Sequence, residues 1–412
     1  MRFCALVLLV LSTSTTLAQQ VITTQPIVSS LIPHGDVVHV ITQMSDADYD
    51  GLQDEGELPA QWLVVDRATL SVRSTLTFPW GMTTAARVGL DSLTGLMMVG
   101  IGDTVWAYTT QTQQRSSTPL YVGLCNAVGY DATAGRIYIS QRPSFDAPGT
   151  VTIVDATTLQ QTVVPVGINP QQTVTYRNSM GTPTAVVLCE GLFGQNNGAL
   201  FFIEDDGSTT SLTVGETPNH MVLDEESGLL YVVMNGEHAV KVVNMSTREV
   251  TSTWQTNTSG YDGPREISLT DDWAFVTTYS GKLLTFSRST GVLNNTIDLT
   301  AKADPVLASN NSVWVGLTYN LGAYTATGNV AVYPMSATSV HEPAPMLTPT
   351  GTSLVLPGFV PGKSVSIRSI TGGETETTAY NADLCTLNTP LLSSGTYIVS
   401  DGKQHVVVQV TK

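Results

Sequence analysis

The chain has 412 residues and carries 34 acidic against 18 basic side chains, a formal net charge of −16. Such acidity repels the phosphates of nucleic acids and anionic membrane surfaces, which excludes both as binding partners. Only 13% of the residues are charged, while Thr, Ser, Gly and Val are abundant. This composition is typical of an all-β protein that works outside the cell.

Residues 1–18 have the features of an export signal. Arg2 gives the positive start, residues 5–11 form an apolar stretch, and Thr16-Leu17-Ala18 is a small-residue cleavage site before Gln19. A membrane anchor would need about 20 apolar residues, and the Ser/Thr run after residue 11 interrupts this stretch. We therefore expect a mature chain without a transmembrane segment, which passes through the periplasm and is secreted or held on the outer cell surface.

Three cysteines lie beyond the predicted signal peptide: Cys125, Cys189 and Cys385. An odd number gives no complete disulfide framework. Their apolar neighbours favour buried thiols, and a Cys125–Cys189 bridge remains open as the alternative.

Residues 46–57 match the ligand spacing of a twelve-residue calcium loop. Gly51 stands where that loop needs its sharp turn, and the side chains or carbonyls expected to bind Ca²⁺ are those of Asp46, Asp48, Asp50, Leu52, Asp54 and Glu57. So many carboxylates this close repel one another unless a cation neutralises them. No helix is evident on either side, so we expect an isolated structural calcium loop between two strands. The alternative is a solvated acidic turn.

One sequence motif recurs along residues 19–335. It consists of an apolar strand, a turn, and a second apolar strand that usually ends at a polar residue. The second strands end 40–49 residues apart, at Asp66, Thr109, Asp155, Glu204, Asn244, Ser287 and Pro334. A strand-only repeat of about 40–50 residues indicates a β-propeller with one four-stranded blade per repeat. Seven copies predict seven blades.

Several repeats place an Asp before a Gly-containing turn and an apolar strand. Asp91 precedes Gly95, Asp131 precedes Gly135, and in the fifth repeat Asp224 is followed by Gly228 and the strand Leu229-Leu-Tyr-Val-Val233. This pattern resembles the YVTN or YncE-like propellers of bacterial surface layers, over about residues 30–340. The resemblance implies an exported seven-bladed propeller.

A propeller usually binds ligands where its inner strands enter the central channel. Alignment of the repeats places the following residues at or near that channel mouth: Arg87, Asn126, Gln171, Asn219, His220, Arg265 and Glu266. Polar groups that converge there can bind a small polar ligand. Equally, they can simply hydrate the mouth.

The sequence changes character after residue 335. Residues 336–352 are rich in Pro, Ser and Thr and indicate a linker. Residues 353–412 are predicted to form a small β-sandwich. Its turn from Ile370 to Gly373, the phrase Leu392-Ser-Ser-Gly395-Thr-Tyr397 and the Val-rich last strand ending in Lys412 resemble the C-terminal sorting domain of the type IX secretion system of Bacteroidetes. This resemblance implies the type IX secretion machinery as a partner, whereas the alternative is a generic β-sandwich.

These features predict an exported binding or interaction scaffold for an unidentified protein or carbohydrate ligand. The alternative is a lactonase-like hydrolase or lyase with its site at the channel mouth, where His220 would act as base and Glu266 as its orienting partner or as a metal ligand. The fold alone does not decide between them. The sequence has no Gly-x-Ser-x-Gly elbow, no His-Glu-x-x-His and no phosphate-binding glycine loop, which favours the scaffold.

Overall fold

The computed structural model describes residues 19–335, apart from 47, 49–51, 81–87, 116–118, 124, 179–180, 310 and 324, together with eight strands beyond residue 335. Contacts divide the chain into two compact units, Met1–Ser339 and Val340–Lys412.

The described part of the first unit forms seven four-stranded antiparallel sheets. Its first strand is β1 (Gln20–Thr23). Blade 1 contains β2 (Val28–His34), β3 (Val37–Thr42), β4 (Gln61–Asp66) and β5 (Val72–Thr77). Blade 2 contains β6 (Gly89–Asp91), β7 (Leu96–Ile101), β8 (Thr104–Thr109) and β9 (Leu120–Tyr121). Blade 3 contains β10 (Ala127–Asp131), β11 (Arg136–Gln141), β12 (Pro148–Asp155) and β13 (Gln161–Ile168).

The remaining blades follow in the same order. Blade 4 contains β14 (Pro170–Arg177), β15 (Pro183–Cys189), β16 (Gly198–Ile203) and β17 (Thr209–Gly215). Blade 5 contains β18 (Pro218–Asp224), β19 (Leu229–Met234), β20 (Ala239–Asn244) and β21 (Glu249–Gln255). Blade 6 contains β22 (Pro264–Leu269), β23 (Trp273–Thr278), β24 (Lys282–Ser287) and β25 (Leu293–Asp298). Blade 7 contains β26 (Ala301–Ser309), β27 (Ser312–Asn320) and β28 (Ala326–Pro334), and β1 is its outer strand.

The ring is closed by the N-terminal strand. β1 pairs antiparallel with β28, from Gln20 opposite Val332 to Thr23 opposite Asn329. Blade 7 therefore joins the two ends of the propeller domain, and the seven-bladed prediction is confirmed.

The two apolar strands of each sequence repeat are the second and third strands of a blade. These strands are buried along nearly their whole length in β7, β19 and β23, whereas the outer strands β5 and β21 are mostly exposed. Neighbouring blades cover both faces of each middle strand, so the apolar residues run continuously instead of alternating. The cores lie between the blades, as in the cluster that joins Val186 and Leu200 of blade 4 to Leu230 and Val232 of blade 5.

The recurring Asp-to-Gly turns have a direct physical basis. Asp91 Oδ1 accepts the backbone N–H groups of Leu93 at 3.0 Å and of Thr94 at 3.2 Å. Gly95 then takes a φ of +68°, which favours glycine because it has no Cβ. The aspartate satisfies the N–H groups of the turn and the glycine completes the reversal between the first two strands.

The second unit is described only by its strands, which are β29 (Met346–Leu347), β30 (Ser353–Val355), β31 (Ser366–Ser369), β32 (Glu374–Thr375), β33 (Tyr380–Asn381), β34 (Thr386–Asn388), β35 (Gly395–Ser400) and β36 (His405–Val410). They form a five-stranded sheet, in the order β29-β36-β35-β31-β32, and a three-stranded sheet, in the order β30-β34-β33. The predicted linker, except β29, and the predicted turn from Ile370 to Gly373 lie outside the described residues.

No helix in the described parts of either unit is long and apolar enough to span a membrane.

Candidate functional site

The connections between strands define two faces of the propeller. Neighbouring strands in a blade are antiparallel. The start of each inner strand and the end of the second strand therefore lie at the same face of the propeller. We call this the upper face. It carries the connection from each blade to the next and the connection from the second to the third strand within a blade. The lower face carries the other connections.

Among the described residues, five inner strands have a β-bulge at their upper ends. The register shifts between Val28 and Ser30 in β2, Pro170 and Gln172 in β14, Pro218 and His220 in β18, Pro264 and Ile267 in β22, and Ala303 and Val306 in β26. A bulged residue leaves the ladder, so its side chain can be turned away from the blade. Three of the bulges follow a proline, which has no N–H to donate to the ladder.

The bulged residues converge on one cavity of about 250 Å³, which we call the mouth cavity. Its polar lining from the bulges consists of Ser29, Gln171, Asn219, Arg265, Glu266 and Asp304. The upper ends of second strands add Gln43, Glu190, Tyr279 and Tyr319. The cavity therefore combines residues from blades 1, 4, 5, 6 and 7.

Arg265 is held in a network inside this cavity. Its Nε donates to Asp304 Oδ1 at 2.6 Å, and the hydroxyl of Tyr279 donates to Asp304 Oδ2 at 2.6 Å. The guanidinium also lies 4.3 Å from the centre of the Tyr279 ring. Burial opposes the charge of Arg265, but the neighbouring Asp304 carboxylate raises its pKa overall. Burial, together with the charge of Asp304, raises the pKa of Tyr279, so the tyrosine stays a neutral donor.

Glu190 is held by amide donors. Gln171 Nε2 donates to Glu190 Oε2 at 2.7 Å, and Asn169 Nδ2 donates to the same oxygen. Gln171 Nε2 also contacts Asn169 Oδ1 at 3.0 Å, which accepts from Arg142 at 3.0 Å. Burial raises the pKa of Glu190, although the charge of Arg265 and the bond from Gln171 act in the opposite direction.

The imidazole of His220 forms a hydrogen bond within the protein. Its Nδ1 accepts the backbone N–H of Ile267 at 3.2 Å, which places the proton on Nε2. Nε2 lies 3.8 Å from Glu266 Oε2, beyond hydrogen-bond distance. The imidazole is buried and is not among the described residues that line the mouth cavity, whereas Glu266 is.

The structure brings together four of the seven residues predicted at the channel mouth: Gln171, Asn219, Arg265 and Glu266. Asn126 instead donates to the carbonyl of Pro170 at 2.6 Å and ties blade 3 to blade 4. His220 ties blade 5 to blade 6 through Ile267. Arg87 lies outside the described residues.

The polar lining residues that sequence reasoning missed include Glu190, Tyr279 and Asp304. Glu190 and Tyr279 directly follow the second strands of their blades, a position that returns to the upper face. Asp304 stands before Pro305 in a bulge, and no proline precedes it to mark the position. A search for polar residues directly after each second strand would have found the first two.

The acidic loop predicted to bind calcium also leaves the upper face. It connects β3 to β4, and its base is closed by Ser45 and Leu58, whose backbones bond at 3.0 Å. Three carboxylates, those of Asp46, Asp48 and Glu57, have oxygens within 4.8 Å of one another. Oxygens that bind one Ca²⁺ at 2.3–2.6 Å lie at most about 5 Å apart. These residues therefore fit one calcium ion.

Other predicted members of the calcium loop contribute differently. The Asp54 N–H donates to Glu57 Oε2 at 3.0 Å, which positions the glutamate. Leu52 is exposed, and Asp50 lies outside the described residues. Gln43, three residues before Asp46, lines the mouth cavity, so the loop begins beside that cavity.

Cys125 and Cys189 are both free and buried. Burial raises the pKa of each thiol to about 12. These two residues therefore do not form a bridge and are packed as small apolar side chains. Cys385 lies outside the described residues.

A second, larger cavity of about 980 Å³ opens where inner strands end at the lower face. Both arginines of its lining are paired with carboxylates: Arg177 lies 3.4 Å from Asp131, and Arg248 contacts Glu204. These pairs connect neighbouring blades, so we interpret this lining as mainly structural.

The fold has solved relatives, whereas no protein-family model and no curated protein matches the sequence. A structure of U3-55K is 10% identical, with a TM-score of 0.58 over 77% of this chain and 98% of that chain. The WD40 repeats of RRP9 are 10% identical, with a TM-score of 0.59 over 77% of this chain and 97% of that chain. The hydrazine synthase of Kuenenia stuttgartiensis is 11% identical, with a TM-score of 0.57 over 77% of this chain and 98% of that chain. Identities this low show the propeller fold alone.

Proposed function

We propose that this chain is an exported propeller that acts as a binding scaffold and takes its ligand at the upper face, through the mouth cavity. The observation that carries the proposal is the set of five bulges, each of which turns polar side chains into the same cavity. Bulges that re-aim side chains are frequent next to functional sites. Propellers commonly mediate protein interactions, which agrees with a scaffold.

The lactonase-like alternative is disfavoured by the geometry of His220. A general base must reach the proton that it removes. His220 is buried, and its Nδ1 accepts a hydrogen bond from the backbone N–H of Ile267. It is not among the described residues that line the mouth cavity. We expect no turnover on a panel of lactones and esters.

The test combines binding with turnover. Soluble protein is screened against peptide and glycan arrays, beside a variant with Gln171→Leu and Arg265→Met in the mouth cavity. Arg177→Met at the lower face is the matched control. Binding lost only in the mouth-cavity variant supports the proposal. Hydrolysis that disappears in both His220→Ala and Glu266→Ala would overturn it in favour of the enzyme.

The proposal includes two further elements. A structural Ca²⁺ would be held by the loop at residues 46–57, supported by its spacing and by the grouping of Asp46, Asp48 and Glu57.

Delivery would use an N-terminal signal peptide and a C-terminal β-sandwich that engages the type IX secretion machinery. The sequence resemblances support that route, and the protein would then be secreted or displayed on the outer cell surface.

A further inference from the structure

We propose that the upper face binds a neutral oligosaccharide, with one sugar unit in the mouth cavity and the next unit against the stacked rings of Phe193 and Tyr261. This inference rests on the proposed binding function and specifies its ligand. Three features of this face carry it: accessible hydrogen-bonding groups in the cavity, carboxylates that already have partners, and an exposed aromatic pair beside the cavity.

The cavity offers a donor and an acceptor to a ligand. Arg265 uses Nε to donate to Asp304, and its two terminal nitrogens form no hydrogen bond with the described residues. Gln171 and Asn169 both donate to Oε2 of Glu190, which leaves Oε1 as an acceptor. None of these atoms is among the fully buried polar atoms of the described chain. Because a sugar hydroxyl both donates and accepts, neighbouring hydroxyl groups of one sugar ring suit this combination.

The carboxylates of the cavity already have partners within the protein. Asp304 forms an ion pair with Arg265 at 2.6 Å. Burial raises the pKa of Glu190, but the charges of Arg265 and Arg142 lower it. Glu266 is buried and interacts within the protein.

A charged ligand would therefore enter the cavity without an unmatched counter-charge, and the desolvation of its charge would be costly. The net charge of −16 further opposes an anionic glycan. These charges favour a neutral ligand that forms many hydrogen bonds.

The volume of the cavity suits a single sugar unit. Water occupies about 30 Å³ per molecule, so the roughly 250 Å³ of the cavity corresponds to about eight waters. Pockets for drug-sized ligands begin at about 300 Å³. One sugar unit of about eleven non-hydrogen atoms fits a space of this size, so a second unit must lie on the surface beside it.

An aromatic pair is available for that second unit. Phe193 is 66% and Tyr261 73% exposed, and their rings stack with centres 5.8 Å apart at 18°. Phe193 lies three residues after Glu190 and Tyr261 four residues before Arg265. Even a fully extended chain places their Cα atoms within about 11 Å and about 14 Å of these two cavity residues. The apolar C–H face of a sugar ring can pack on such exposed rings.

Both loops that carry the aromatic pair are anchored. The N–H of Gly194, directly after Phe193, donates to Glu216 Oε1 at 3.1 Å. Asp262, directly after Tyr261, accepts from the buried Lys302 Nζ at 2.8 Å. The rings are thus held beside the cavity before a ligand arrives, which lowers the entropic cost of binding.

The arrangement favours a sugar over a protein partner. A stable protein interface buries about 800 Å² on each partner and has an apolar centre with a polar rim. On the upper face the polar cavity is central, and the stacked rings lie beside it. A chain of sugar units presents hydroxyl groups and C–H faces in turn, which fits this order.

The experiment measures sugar binding by calorimetry with the mature chain. The probes are four neutral tetrasaccharides: cellotetraose, laminaritetraose, maltotetraose and α-1,6-mannotetraose. The corresponding monosaccharides test the cavity alone, and tetragalacturonate, which has a carboxylate on each unit, tests charge. We expect at least one neutral tetrasaccharide to bind about tenfold more tightly than its monosaccharide, because it also contacts the rings, and more tightly than tetragalacturonate.

Variants separate the cavity from the aromatic pair. Glu190→Gln should weaken binding of the tetrasaccharide and of its monosaccharide about tenfold each. Phe193→Ala and Tyr261→Ala should each weaken the tetrasaccharide about fivefold and leave the monosaccharide unchanged. These two rings are exposed, so their removal tests the proposal even if Glu190→Gln fails to fold.

Tyr121→Ala is the matched control for the aromatic variants. Tyr121 is 68% exposed and lies in β9 of blade 2, which contributes no described residue to the mouth cavity. This variant should bind every probe as the wild type does.

The outcomes separate this inference from the proposed function. Failure of all four neutral tetrasaccharides to bind, while an array peptide is lost in the variant with Gln171→Leu and Arg265→Met, would overturn the sugar in favour of a protein partner. Tighter binding of tetragalacturonate would overturn the neutral ligand. A tetrasaccharide that binds equally well to Phe193→Ala, Tyr261→Ala and wild type would overturn the role of the rings. Failure of every sugar and every peptide to bind would overturn the scaffold function itself.

Discussion

At the scale of single residues, position in the blade decides what a polar side chain does. Asn126 and Asn219 both stand at the upper start of an inner strand. Asn126 precedes the first residue of a strand without a bulge and bonds to the next blade. Asn219 is bulged and lines the cavity. The bulge of β18, which β10 lacks, therefore separates a structural contact from a candidate ligand contact.

His39 in β3 makes the stability of blade 1 sensitive to acid. It is fully buried, and its Nδ1 accepts from the Trp62 indole N–H at 3.0 Å. Burial, aided by the nearby charge of His34, lowers the pKa of His39 from 6.5 to about 4. The unfolded chain therefore takes up this proton first as the pH falls. The stabilising contribution is complete above about pH 6.5 and is lost as the pH falls towards 4.

We expect His39→Gln to reduce this acid sensitivity, because Gln can still accept from Trp62 but does not titrate. Between pH 6.5 and 4, the wild type should lose up to about 3 kcal/mol more unfolding free energy than the variant. Urea unfolding at each pH measures this difference. His238→Gln, at a half-buried histidine bonded to Thr258, is the control. Parallel pH profiles for wild type and His39→Gln would contradict the prediction.

At the scale of elements, strands were predictable and bulges were not. The middle strands of a blade are covered on both sides, so their composition alone revealed them. β19 is one residue longer than the predicted strand Leu229–Val233, and β20 ends at the predicted Asn244. A bulge depends on how two strands pair, and only its proline is visible in the sequence. Pro218 and Pro264 stand directly before Asn219 and Arg265, which were predicted, whereas Asp304 has no preceding proline and was missed.

The acidic loop gives a prediction at this scale. Calcium that binds only the folded loop should add about 2.7 kcal/mol of stability when free Ca²⁺ reaches about 100 times its dissociation constant. The melting temperature should therefore rise from chelator to calcium in the wild type. Asp48→Asn and Glu57→Gln should abolish the rise, because each removes a carboxylate from the group.

Glu55→Gln is the matched control for this measurement. Glu55 lies in the same loop and is exposed, but it is outside the predicted ligand pattern. Its variant should retain the calcium-dependent rise. A wild-type protein that melts at the same temperature in chelator and in millimolar calcium would remove the metal site from the proposal.

At the scale of the whole molecule, closure of the propeller depends on the first strand after the predicted signal peptide. Ile22 of β1 is 6% exposed and packs in the cluster with Val28, Trp314 and Val332, while the adjacent Val21 is 53% exposed. Ile22→Ala should cost about 2–5 kcal/mol of unfolding free energy, and Val21→Ala much less. Equal losses in denaturant unfolding would mean that β1 does not close the ring in solution.

The last prediction concerns the chain beyond the propeller. The contacts divide it into Met1–Ser339 and Val340–Lys412, and a compact unit with its own contacts can be removed without unfolding its neighbour. Deletion of residues 353–412 should therefore leave a propeller with an unchanged circular dichroism spectrum and its inter-blade packing intact. If that segment is a type IX sorting domain, the truncated protein should accumulate in the periplasm of a host with that system.

Fusion of residues 336–412 behind a signal peptide and an unrelated folded reporter provides the matched gain-of-function control, and we expect that reporter to reach the medium or the cell surface. Fractionation with immunoblotting measures both. Normal release of the truncated propeller, together with a reporter retained in the periplasm, would refute the sorting role. Because the mouth cavity is lined only by residues of the propeller, the truncated protein should still bind the proposed upper-face ligand with unchanged affinity. Export and recognition can then be separated in a single pair of proteins.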